Sequence, residues 1–121
     1  MKLTENKLRI IVREELRRLN EAANLRKVQD VLHGSFVAGA EVEPGGRLSL
    51  DVEAEVRFNI ESAETKTGNP VNISDLEPIF EGSTIEYAAA HQSENVLEIH
   101  VDNGYELMLQ LPMNADFYIR R

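Results

Sequence analysis

The sequence predicts a small α+β domain, with an antiparallel sheet of about five to six strands, helices on one face and a separate amphipathic helix at its N-terminus. Three observations lead there. Apolar residues recur with a helical period as far as Leu32, and from Phe36 onward they alternate with a period of two. Glycine and proline punctuate the alternating part into short segments. Charge is also divided unevenly. Residues 1–27 carry eight Lys/Arg against four Asp/Glu, while 28–121 carry five against seventeen, within a chain of net charge −8.

The first helix has its start signal in Thr4, a fair N-cap, with Leu3 and Leu8 placed for a hydrophobic staple. At 100° per residue Leu8, Ile11, Val12, Leu16 and Leu19 share one stripe, and Arg9, Arg13 and Arg17 line a neighbouring one. Such a stripe needs a covering surface, so a protein partner or self-association through this helix is expected. Asn20 to Asn24 reads as a weak joint, which divides the chain into a basic segment, 1–21, and an acidic body, 22–121. Beyond the joint Leu25, Val28, Val31 and Leu32 make a second helical stripe, and Gly34 can end it.

Phe36, Ala38, Ala40 and Val42 then alternate up to the turn Pro44-Gly45-Gly46. Leu48 through Ile60 continues the alternation as one long half-buried strand or two strands joined at a bulge. Residues 61–72 are polar and read as an exposed loop. Ser74 and Glu77 suggest a capping box for a short helix through Phe80, ended by Gly82. Three strands follow, over 84–91, 96–101 and 105–111, and Phe117-Tyr118-Ile119 offers a short terminal one. Ile85, Tyr87, Ala89, Leu97, Ile99, Val101 and Tyr105 are expected to face inward. Burial on one face selects a three-residue loop, Asp102-Asn103-Gly104, so that Val101 meets Tyr105 and Ile99 meets Leu107.

An offset of 48 residues places Val28 on Leu76, Val31 on Ile79, Leu32 on Phe80, Gly34 on Gly82, Ser35 on Ser83 and Val37 on Ile85. One residue more aligns Leu48–Val52 with Leu97–Val101. A duplicated helix–hairpin unit gives this pattern, and so do two unrelated units of the same kind.

No segment reaches the roughly 20 apolar residues of a membrane span. The chain has no cysteine, which removes disulfides, thiolate metal sites and Cys nucleophiles. The acidic body repels nucleic-acid phosphates, so nucleic acid is not an expected partner. Asp51, Glu53 and Glu55 lie about 7 Å apart on one strand face. Calcium loops curl around their ion, so this row reads as a solvated face that discourages edge pairing. The three histidines are His33, His91 and His100. By strict alternation His91 and His100 face opposite sides of their strands, which separates the one conceivable histidine pair. No nucleophile elbow, phosphate loop, zinc or dinucleotide motif is present, and no cofactor is expected.

Lys7-Leu8-Arg9-Ile10-Ile11-Val12-Arg13-Glu14-Glu15-Leu16 resembles a leader of about twenty residues at the start of otherwise unrelated proteins of large tailed phages, marine ones especially. In T4-like phages, internal head proteins carry N-terminal targeting peptides removed by a prohead protease after an apolar-x-Glu pattern. Leu19-Asn20-Glu21 followed by Ala22 looks like such a site. The resemblance implies a non-enzymatic structural or head-associated accessory protein, found in the virion or the host cytoplasm. Its rivals are an acidic inhibitor or binding module acting on a host partner, and a small enzyme or metal protein using the histidines.

Overall fold

A computed structural model of the chain describes residues 24–113 and 115–120. The predicted N-terminal helix, with its apolar and basic stripes and the Glu21–Ala22 processing site, lies outside the described residues. Helix α1 covers 24–32. Strands β1 (Gly39–Glu43), β2 (Arg47–Asp51), β3 (Glu55–Asn59), β4 (Ser62–Thr65) and β5 (Pro70–Val71) follow it. A 3₁₀ turn (Ile73–Asp75) leads into the short α2 (Leu76–Phe80). The remaining strands are β6 (Ile85–His91), β7 (Val96–Val101), β8 (Glu106–Gln110) and β9 (Phe117–Arg120).

The α+β class holds, but the strands form two antiparallel sheets rather than one. Their orders are β1-β2-β3-β9 and β5-β4-β8-β7-β6. Two features divide what reads as a single long strand. Val52, Glu53 and Ala54 make a tight turn, closed by the Val52 N–H donating to the Ala54 carbonyl, so β2 and β3 are a hairpin with Asp51 opposite Glu55. That turn has neither glycine nor proline to announce it. At Ile60 and Glu61 the chain then leaves the first sheet. The Ile60 N–H still donates to Gly46, whereas the Glu61 N–H donates to Gln110 of the second sheet. The expected loop over 61–72 is therefore a hairpin, β4 and β5, with β4 paired to β8. Its one buried side chain, Ala63, leaves almost no apolar alternation to read.

Both sheets turn their apolar faces to one core. Leu48, Leu50, Val56 and Phe58 from the first meet Leu97, Ile99, Leu107 and Leu109 from the second, with Leu25, Val28, Leu32, Leu76 and Phe80 of the helices. Each fully buried Leu, Ile or Phe contributes about 1.5–3 kcal/mol. Gly34 and Gly82 end the two helices at φ 77° and 78°, a conformation costly for any residue with a Cβ. The loop before β8 is also the one expected: Val101 donates to the Tyr105 carbonyl, Ile99 pairs with Leu107, and Gly104 has φ 95°. Tyr105 itself is 43% exposed and does not reach the core. No capping box forms at α2. Asp75 is its N-cap without a side-chain bond, and Glu77 instead accepts the Val42 N–H at 2.6 Å.

The 48-residue offset carries over into hydrogen bonding. Gly34 donates to Ile85 and Gly82 to Val37, while Val37 donates to Ser83 and Ile85 to Ser35. Ser35 Oγ donates to the Val31 carbonyl as Ser83 Oγ does to Ile79. Phe36 and Thr84, themselves one offset apart, form the bridge between the two segments. Each helix also caps the exposed edge of a strand from the other half. Gln29 Oε1 accepts the Ala90 N–H of β6 at 2.8 Å, and Glu77 does the same for Val42 of β1.

Candidate functional site

The outer face of the five-stranded sheet gathers the side chains capable of chemistry. A bulge in β6 makes this arrangement. Ile85 pairs with Val101, yet Tyr87 pairs with His100, so Glu86 is an extra residue and the alternation restarts after it. Ile85 and Ala88 then face the core, and Tyr87, expected inside, is 42% exposed. The same reset puts His91 outward, on the face already holding Glu98 and His100. The separation of His91 from His100 expected from strict alternation is thereby overturned. A similar break occurs in the first half, where Val37 is buried, Phe36 is 57% exposed, and Ala40 and Val42 pack against the core. Phe36 had been expected on the inward series with Ala40. In both halves the apolar series skips from Val37 to Ala40 and from Ile85 to Ala88, a sequence signal visible once the two are aligned.

Glu98, on β7, is the centre of the cluster. It is 6% exposed, and among the described residues no other ionisable side chain is buried. His91 Nε2 lies 2.8 Å from its Oε1, His100 Nε2 lies 2.5 Å from its Oε2, and Lys66 Nζ lies 3.6 Å from Oε2. Burial is the largest single influence on Glu98 and opposes its charge. The hydrogen bonds from His91 and His100, with the positive charge of Lys66 and His100, outweigh it and hold the carboxyl below its ordinary range. An ionised carboxylate only accepts, so each histidine carries a proton on Nε2. Lys66 is positioned by its own N–H, which donates to Glu106 at the start of β8.

Aromatic contacts extend the cluster across the sheet. The Tyr87 ring sits 4.9 Å from His100 and meets His33 edge-on at 5.8 Å. His33 Nδ1 accepts the Ala88 N–H, which fixes its neutral proton on Nε2 and ties the end of α1 to β6. All three histidines therefore belong to one continuous surface.

The arrangement suits charge neutralisation better than metal binding. The two imidazoles bracket opposite oxygens of Glu98 instead of converging on one point. Among the described residues no group of three or more His, Asp or Glu side chains is set to hold a metal ion. The acidic row does not run along one strand face, since Asp51 and Glu55 are opposed across the β2–β3 hairpin and Glu53 lies at its tip. Glu55 instead pairs with Arg57, whose guanidinium is pushed above its ordinary range by that hydrogen bond and sits 5.7 Å from the Tyr118 ring. An open cleft of about 760 Å³ lies apart from the histidines' carboxylate, between the end of α1 and the hairpin tip, where Phe36 and Glu53 line it.

Among the described residues no helix is long and apolar enough to cross a membrane. No protein-family model, curated protein or solved structure matches the chain, so its fold and its site stand on the geometry given above.

Proposed function

We propose that this chain is a non-enzymatic, head-associated accessory protein of a tailed phage, in which residues 1–21 dock or target an acidic two-sheet body. The charge split between that basic segment and the body carries the reading, together with the leader resemblance at Lys7–Leu16. The Glu98 cluster supports a binding role over catalysis. Its carboxylate is neutralised by its own neighbours on an open sheet face, and it is held ionised instead of being poised near neutral pH as a general acid or base. Mass spectrometry of the native protein from purified particles and from soluble lysate tests the proposal. A chain beginning at Ala22 inside particles is expected. Full-length protein found only in lysate overturns it.

The acidity of residues 28–121 favours a second reading, a module that captures a basic host protein by electrostatic attraction. It requires a host partner whose capture weakens as salt rises. For the fold, we infer that the body is a duplicated helix–strand unit. The four pairs of equivalent hydrogen bonds described above, all at one offset, are difficult to obtain from two units that merely look alike.

A further inference from the structure

The two halves differ on the outer side of the strand each sheet borrows from the other half. β4 follows β3 in the chain but pairs with β8, and β9 follows β8 but pairs with β3. Beyond β4 lies β5, which covers its edge. Beyond β9, among the described residues, no strand follows. The flanking recesses show the same asymmetry. Beside α2, Asp75, Pro78 and Ile79 line a recess walled by Pro70 and Val71 of β5. Beside α1 the equivalent positions Lys27, Asp30 and Val31 line a recess with Ile119 of β9, and no strand among the described residues walls it. The second half thus shows that a strand fits in this place.

We propose that the outer edge of β9 pairs antiparallel with the β9 edge of a second copy, joining two four-stranded sheets into one continuous sheet across a two-fold axis. The strand's residues suit this occupant. Residues directly opposed in an antiparallel pair share a face, so a two-fold axis must set a residue against its own copy. With Tyr118 opposite Tyr118, Asp116 falls opposite Arg120 and Phe117 opposite Ile119, each twice. Opposite charges then meet at both ends of the pairing. The half-buried Phe117 and Ile119, which already face the core side, cover one another and the open recess. Tyr118 and Arg120 remain on the outer face, where the Tyr118 ring already carries Arg57. An edge with no proline, alternating apolar residues and no partner strand among the described residues is otherwise exposed to indiscriminate pairing.

Two other occupants are conceivable. At the offset of 48, residues 22 and 23 correspond to Pro70 and Val71 of β5, so the chain's own N-terminal part is one. An extended segment of an unrelated protein is the other. Sedimentation velocity of the full-length chain over a concentration series separates these from a second copy. The wild type is expected to dimerise. Arg120→Glu sets like charges opposite Asp116 and should weaken dimerisation by about tenfold or more, as should Asp116→Arg. The double variant Asp116→Arg/Arg120→Glu exchanges the charges and should restore it, which a general folding defect cannot do. A wild type that stays monomeric at every concentration overturns the proposal and points to one of the other occupants. A dimer indifferent to either single change overturns it too, placing the contact elsewhere, and so does failure of the double variant to recover.

Discussion

Glu98 shows how a charge survives in a nearly buried position on a sheet. Removing a carboxylate from water costs several kcal/mol, and the cost is offset here by two imidazole N–H donors and a lysine at closer than 4 Å. Its replacement by glutamine keeps the shape but sets an amide NH₂ against one of the two donors. Glu98→Gln is expected to lose about 1–3 kcal/mol of stability in urea denaturation at neutral pH. The sign with pH follows from the lowered carboxyl. Its stabilisation is fully present above the ordinary value of 4.5 and is lost as pH falls through the lower folded value. The gap between wild type and Glu98→Gln should therefore narrow as pH falls below 4.5. A gap as wide at pH 3 as at pH 7 would refute this account of the cluster.

At the scale of elements, the two helices act on strand edges. β1 and β6 each stand at one end of their sheet among the described residues, and Glu77 and Gln29 each take one amide of that edge. Gln29→Ala and Glu77→Ala should each cost about 1 kcal/mol. Each should also speed hydrogen exchange at one distant amide, Ala90 for the first and Val42 for the second. If exchange instead rises equally along both strands, the bonds are not acting as local caps. These edge bonds explain a misleading sequence signal, since Ser74 and Glu77 spell a capping box whose glutamate is employed elsewhere. Helices α1 and α2, the glycine stops, the Asp102–Gly104 loop and the terminal strand were legible because each rests on local chemistry. The second sheet was not, because the Val52–Ala54 turn and the polar β4 owe their form to long-range pairing. The histidine surface was hidden by a single extra residue, Glu86. One inserted residue inverts every later side chain of a strand and leaves the composition unchanged.

For the whole molecule, the reciprocal placement of β4 and β9 ties the halves together. Neither sheet is complete without a strand from the other half, and both sheets share one core. The body should consequently unfold in a single transition, with probes on β2–β3 and on β7–β8 giving coincident midpoints. Hydrogen exchange in those two hairpins should converge on one opening free energy. Separate midpoints would mean that the exchanged strands detach before the sheets do.

That exchange also loosens the link between the order of the chain and the shape it makes. The turn over 66–69 carries the chain from β4 into β5 and on toward α2. Lys27 and Ile119 already border the same recess. A chain bridged from residue 120 to residue 24 and opened at Gly68, in which the second unit is synthesised first, is expected to keep the sheet partners seen among the described residues. Connectivity in this body is a convention of the gene, and the paired edges hold the architecture.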